Sequence, residues 1–389
     1  MDIHRENGLF FLHIHTYNAG SMKIRVLQEN LIKAVQDSLR FISSKPPIPI
    51  LSCILLEAKE GKLHLRATDL SVSIHTTVGC RVETEGEVAV SGRVFADLLS
   101  TLPQGTINIA ANEGKLSVKS ANAHSSIIIT KEKDFPKFPE EKGEKIILSL
   151  KQLASLLGLG GAAAGVDETR PMFSCLRLEY GENKLAVVAT DGYRLSRKEE
   201  KVSCRGACEA MVSARVVSEV ERILQRIAKE SIEIAFSEEL GQVFFTAGDC
   251  AISLRMIEGE YPAYQAIVPH ECETWVEVSA AELLSAVKTA MVFSKEVSGI
   301  ITLKITGKGL LVSSAASTGE SESVVDVKIT KGSSGEISFN GKYLVDFLGE
   351  IGDVDLRFGM NESLKPGIFT LPIEKDFYYV VMPFRVIGK

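Results

Sequence analysis

One paragraph of sequence recurs three times in this chain, and that recurrence limits the fold more than any other feature. The copies open "MKIRVLQENLIKAVQDSLRF", "KIILSLKQLASLLGLGGAAAGV" and "TWVEVSAAELLSAVKTAMVF". Each reads as a strand, an amphipathic helix, a polar loop and short alternating strands, with turns expected at Glu60-Gly61, Gly181-Glu182 and Thr306-Gly307. A second set follows: "GEVAVSGRVFADLLSTL", "CEAMVSARVVSEVERIL" and "GEISFNGKYLVDFLGEI". Each of these gives a strand, a Ser or Asn placed to cap a helix, the helix, and more strands. A half is therefore duplicated inside a domain that is itself triplicated. The expected class is α+β, three tandem strand-helix-strands domains over residues 22–143, 144–270 and 271–389, behind an N-terminal extension, 1–21.

The bulk properties agree with that division. At 389 residues the chain exceeds one ordinary core, since a domain averages about 150 residues. No apolar run approaches the roughly 18 residues of a membrane span. The seven Cys have no paired spacing. Cys204 and Cys208 lack the second pair that a zinc site needs, so all seven read as reduced packing residues of a cytoplasmic protein. The extension "MDIHRENGLFFLHIHTYNAGS" lacks a basic start and a small-residue cleavage site and is no convincing signal peptide. Met22 begins the patterned sequence.

"RATDLSVS" and "VATDGYRLS" end alternating runs in the first two copies, and Asp191-Gly192 invites a catalytic reading. A catalytic Asp needs no second copy, and the third domain has "SSAASTG" at that place. Asp69 and Asp191 are better read as Asx turns that close a strand. "GLGGAA" at Gly158–Ala163 fits a loose dinucleotide pattern with Glu179 downstream, but it follows a helix instead of opening one. A flexible helix end and loop is the simpler expectation. With no metal, nucleotide or triad motif either, neither cofactor nor catalysis is expected.

Positive charge is arranged more tellingly. In "SARVVSEVERILQRIAKE", Arg215, Arg222, Arg226 and Lys229 fall on one helix face, opposite Val216, Val220, Ile223, Leu224 and Ile227. Lys33 and Arg40 repeat this in the first domain, and Lys288 and Lys295 in the third. A stripe of this kind is usually just a solvated face. Its repetition in a protein of net charge −6 points to a polyanion held loosely, without sequence choice, because Glu219, Asp37 and Glu296 interrupt the stripes.

From Met22 on, the chain closely resembles the bacterial DNA polymerase III β subunit, the sliding clamp family. The phrases "IPILSCILLEA", "RATDLSV", "KDFPKFP", "VATDGYRLS", "EGEYPAY", "FNGKYLVDFL" and "YYVVMPFRV" carry the resemblance, in order, across all three copies. It implies a head-to-tail homodimer that closes a ring round double-stranded DNA, with the basic helices lining the channel. Lys45 falls where the family places a DNA-contacting residue. The resemblance also implies a pocket for short peptides from the polymerase III catalytic subunit, an ATP-dependent clamp loader and repair proteins. Thr190, Gly192, Tyr193, Arg194 and Leu195 match it, with Phe173, Pro262 and Ile267 from the second domain and Leu364, Pro366, Val380, Met382, Pro383, Phe384 and Arg385 from the third. Ile127, Met291 and Val292 align with the dimer interface.

Three departures stand out: the extension 1–21, the terminal Ile387-Gly388-Lys389 beside the pocket, and Gly158, seven residues after Lys151, where a second basic residue is missing. The expectation is a non-enzymatic, cytoplasmic, nucleoid-associated processivity clamp with no membrane partner. The alternatives are a peptide-binding adaptor that does not encircle DNA and, more remotely, a nucleotide-dependent enzyme at Gly158–Ala163.

Overall fold

The computed structural model describes residues 21–43, 46, 48–130, 135–167, 169–228, 231–294, 298–374 and 376–385. Two compact units divide it, Met1–Pro139 and Glu140–Lys389.

In the first unit the strand Met22–Leu27 leads into helix α1, Gln28–Leu39. Alternation on that strand turns Met22, Ile24 and Val26 inward. After the strands Cys53–Lys59, Lys62–Thr68, Val72–Gly79 and Arg81–Thr84, the pattern begins again. Gly86–Ser91 leads into α2, Gly92–Thr101, and then Thr106–Asn112, Lys115–Lys119 and His124–Ile128. Met22–Leu27 pairs antiparallel with Arg81–Thr84 on one side and Thr106–Asn112 on the other, in a five-stranded sheet that ends on His124–Ile128. The helices α1 and α2 pack on each other.

The second unit holds the plan twice. Its first copy runs Glu144–Ser149, α3 (Leu150–Gly161), Cys175–Gly181, Lys184–Thr190 and Arg194–Lys201, then Cys208–Ser213, α4 (Ala214–Ile227) and three strands from Ser231 to Arg255. The next runs Thr274–Ser279, α5 (Ala280–Ser294) and four strands from Ile300 to Lys331, then Gly335–Asn340, α6 (Gly341–Ile351), Asp355–Met360, Gly367–Thr370 and Phe377–Val381. Antiparallel pairing of Arg194–Lys201 with Phe377–Val381 joins both copies in a nine-stranded sheet.

Local chemistry sets most helix starts. Ser149 accepts from the Gln152 amide at 3.2 Å, and the Gln152 side chain accepts from the Ser149 amide at 3.0 Å, a closed capping box on α3. Ser213 and Asn340 cap α4 and α6 as expected, but the Ser91 side chain makes no capping bond on α2. Two turns sit one residue later than expected. Glu182 and Asn183 take the positive φ values, 52° and 61°, and the strand Ile300–Thr306 extends through Thr306, leaving Gly307 and Lys308 as the turn.

"GLGGAA" is a helix end followed by a turn, Gly158–Gly161 helical and Ala162–Ala163 beyond the helix. α3 continues to Gly161, and a Cβ on Gly160 would lie 2.7 Å from the Val187 Cβ and 2.8 Å from its carbonyl oxygen. The glycine lets the helix lie directly on the strand. Gly160→Ala should therefore lower stability, although Ala in a helix is otherwise favoured by about 1 kcal/mol. Overpacking costs about 1–3 kcal/mol, and a strand backbone cannot swing aside. Gly158→Ala is the control, because its Cβ meets only the Glu350 carboxylate at 3.9 Å. Urea midpoints should fall for the first variant and hold or rise for the second.

The cysteines are free. Burial pushes the Cys175 and Cys272 thiols up to about 11. Burial, with Glu238 nearby, lifts Cys208 to about 12. These thiols stay protonated and unreactive at neutral pH. Among the described residues no group of three or more His, Cys, Asp and Glu forms a metal site, and no helix is long and apolar enough to cross a membrane.

Candidate functional site: a peptide groove and basic helix faces

The second Ala-Thr-Asp turn is built by its own side chains. Asp191 Oδ1 accepts from the amides of Tyr193 at 2.9 Å and Arg194 at 3.0 Å. The Thr190 hydroxyl accepts from the Gly192 amide at 3.1 Å and donates to the Arg194 carbonyl at 2.7 Å. Asp69 accepts from the Ser71 and Val72 amides in the same way, so both aspartates are Asx-turn residues as expected. The residue after the Asp has a positive φ in both turns: 76° for Leu70 and 92° for Gly192. Gly192 takes it without strain and leaves room for Phe173, whose Cε1 lies 3.3 Å from where a Cβ would stand.

Strand pairing brings the terminal strand alongside this turn. Leu195 faces Val380 and Arg194 faces Val381 in the register. The Met382 amide then donates to the Tyr193 carbonyl at 2.8 Å, and the Phe384 amide to the Ser338 carbonyl at 2.7 Å. Most expected pocket residues therefore cluster, though at different depths. Tyr193 and Leu364 are each 58% exposed and Phe384 46%. Phe173, Pro262, Ile267, Pro366, Met382 and Pro383 are half-buried, and Arg385 is exposed. Thr190, Arg194, Leu195 and Val380 are buried. These four do not line the surface. Leu195 and Val380 pack in a core cluster with Tyr264 and Ile368, because in a pleated strand every second side chain points away from the exposed face. They lie beneath that surface.

Arg194 ties the second turn to α6. Its Nε donates to Asp191 Oδ2 at 2.9 Å and its Nη1 to Asp346 Oδ2 at 2.9 Å, with the guanidinium 4.7 Å from the Tyr343 ring centroid. Burial alone would lower the Arg194 pKa, but the Tyr379 hydroxyl and both carboxylates outweigh it and keep the group charged. Tyr343 also stacks on Tyr193 at 6.5 Å, and its carbonyl accepts from the Tyr379 hydroxyl at 2.9 Å. Tyr343 and Asp346 escaped the sequence reading. The available signal was "FNGKYLVDFL", where both fall on one side of α6, three residues apart.

On α4, Arg215, Arg222 and Arg226 are exposed and lie within about 40° of one another at 100° per residue. The opposite face is Val217, Val220, Ile223 and Leu224. The sequence reading omitted Val217 and counted Val216 and Ile227, which are only half-buried. Glu219 accepts from Arg222 at 2.9 Å and dilutes the stripe. Lys33 on α1, Arg40 just beyond it and Lys288 on α5 are exposed. Lys45, Lys229, Lys295, the extension as far as residue 20 and Ile387–Lys389 lie outside the described residues.

Of the residues aligned with the dimer interface, Val292 is 64% exposed and Met291 is half-buried, its side chain against Gly341. Ile127 is corrected. It is 7% exposed inside its own sheet, and its neighbour Ile128, at 77%, is the apolar group offered by that edge strand. A slip of one residue reverses which side chain faces out.

A triplicated, duplicated α+β domain with recurrent basic helix faces and exposed apolar side chains beside one turn has the architecture of DNA clamps. Three family models match in succession: the DNA polymerase III beta subunit N-terminal domain over 22–139, its central domain over 148–263 and its C-terminal domain over 265–385. The chain belongs to the DNA polymerase III beta subunit family. It is 28% identical to a beta sliding clamp of Synechocystis over 395 aligned residues, covering 94% of this chain and 100% of that one. The crystal structure of the Thermotoga maritima DNA polymerase III beta subunit matches with a TM-score of 0.86, 25% identity and coverage of 94% and 100%. A C. crescentus beta sliding clamp matches with a TM-score of 0.87 at the same identity and coverage.

Proposed function

We propose that this protein is a sliding clamp: two copies, joined head to tail, encircle duplex DNA without reading its sequence and tether the replicative polymerase. Support comes chiefly from the threefold repeat, matched in order by all three domains of one family. The exposed basic faces of α1, α4 and α5 would line the channel. Their charges are diluted by acidic neighbours, which suits sliding, since tight phosphate contacts act as brakes. Two edge strands suit the ring joint. His124–Ile128 offers Ile128, and Gly319–Val325 offers Val324 at 61% exposure, with Val292 on α5.

The groove takes extended peptides from the polymerase catalytic subunit, the loader and repair proteins, with Tyr193, Leu364 and Phe384 as walls over a fixed floor. The protein performs no chemistry of its own and works in the cytoplasm at the nucleoid. An ATP-driven loader opens the ring, because this sequence carries no nucleotide motif.

DNA topology provides the test. The protein is loaded onto nicked circular plasmid with its cognate loader and ATP, then gel-filtered before and after linearisation. A clamp stays on the circle and is lost from the cut molecule. Equal retention on both rejects encirclement. Loss from both, with a loader proven on another clamp, favours a peptide-binding adaptor.

A further inference from the structure

We propose that the cavity between the end of α3 and the start of α4 binds a small apolar amine, whose ring fills the cavity and whose ammonium group rests on the Glu221 carboxylate. The cavity lies wholly inside the unit Glu140–Lys389 and shares no lining residue with those aligned with the peptide pocket.

Small residues make the space. After Leu157, the stretch "LGLGGAAAG", residues 157–165, carries only Leu159 as a large side chain, and α4 adds Ala214 and Ser218 to the same lining. A cavity of about 290 Å³ remains, near the lower end of the roughly 300–1,000 Å³ typical of small-molecule sites. Leu157, Leu176 and Val217 are buried and give it apolar walls. Its serine hydroxyls are already engaged. Ser174 donates to the Pro171 carbonyl at 3.4 Å, Ser218 donates to the Ala214 carbonyl at 3.0 Å, and Ser213 accepts from the Val216 amide at 3.5 Å. Selection of a polar group on the ligand is therefore left to the two charged residues of the lining, Arg215 and Glu221.

Glu221 decides the sign of the charge. Gln225 donates to its Oε1 at 2.8 Å, and among the described residues no hydrogen bond or ion pair reaches its Oε2. Burial, and then the nearby Glu350 carboxylate, raises its pKa above the ordinary carboxylate value, so the ionised side chain is short of a counter-ion. A ligand ammonium supplies that counter-ion, whereas an anion would meet both carboxylates. The other charges nearby are engaged or distant. Arg222 donates to Glu219 at 2.9 Å, Arg170 lies 4.2 Å from the Phe173 ring centroid, and Asp167 accepts from Thr169. Arg215 is six residues before Glu221, about 9 Å along the helix axis, beyond the ~8 Å screening length at physiological salt. Glu168 lies outside the described residues.

Tryptamine is the probe, titrated into the full chain by ligand-observed NMR, with 3-ethylindole as its uncharged counterpart and indole-3-propionate as the matching acid. Saturable binding of tryptamine is expected. Glu221→Gln keeps the size of the side chain and removes its charge, so it should weaken tryptamine at least ~10-fold and bring it level with 3-ethylindole. Ala164→Leu fills the cavity from the α3 side and should remove both ligands, its thermal midpoint showing that it is folded. Ser218→Leu takes the same space from the exposed side of α4 and should act alike. The inference is overturned by no saturable binding of tryptamine, by binding that survives Glu221→Gln or both filling variants unchanged, or by indole-3-propionate bound as tightly.

Discussion

Reversing Arg215, Arg222 and Arg226 to Glu should abolish retention on circular DNA while the protein stays folded. The three side chains are exposed on one face of α4, so the change takes the chain from −6 to −12 without disturbing the buried Val217, Val220, Ile223 and Leu224. The ion pair of Arg222 with Glu219 is on the surface, and such pairs contribute about 0–1 kcal/mol. The thermal midpoint should therefore move little. The effect on DNA is large, because each neutralised phosphate contributes about 0.9 to the logarithmic salt slope and reversal turns attraction into repulsion. At physiological salt, where the screening length is about 8 Å, lifetime on nicked circles should fall at least ~10-fold. Binding of groove peptides should be unchanged. A variant retained as well as the parent at low and physiological salt would place α4 away from the DNA path.

Arg194→Met should destabilise the protein by about 3 kcal/mol and remove peptide binding as well. Arg194 is buried, and removing its side chain leaves the partly buried Asp191 to the backbone amides of residues 193 and 194. Breaking one side of a buried pair costs about 3–5 kcal/mol. The low end applies, because Asp346 is a third exposed and keeps Lys342 at 2.9 Å. Arg194→Lys should rescue little. An ammonium is a point charge and cannot hold Asp191 and Asp346 from two edges of one plane while stacking on Tyr343. Urea midpoints, and anisotropy with a labelled peptide selected from a random library on the parent protein, read the two effects separately. Full stability in the Met variant would show that the pairs around Arg194 are not structural.

Repeat number, element order and the two Asx turns were legible from the sequence, because each is a local property. Period 2 marks a strand, period 3.6 a helix, and an Asp bonding two residues ahead makes its turn wherever it lies. The basic stripe of α4 was legible for the same reason. The depth of each side chain was not. Ile127 or Ile128, Val216 or Val217, and Tyr193 over Leu195 are choices between near neighbours of like chemistry. Register against a paired strand and the angle at which a helix lies on its sheet decide them. Nor could spacing along the chain bring Tyr343 and Asp346 to Arg194, about 150 residues earlier, since only the pairing of Arg194–Lys201 with Phe377–Val381 and the packing of α6 place them there. The sequence by itself determined the repeats and the face that carries the charge. Which of the aligned residues are exposed and which are buried beneath them was decided by tertiary structure, because burial belongs to a neighbourhood and not to a residue.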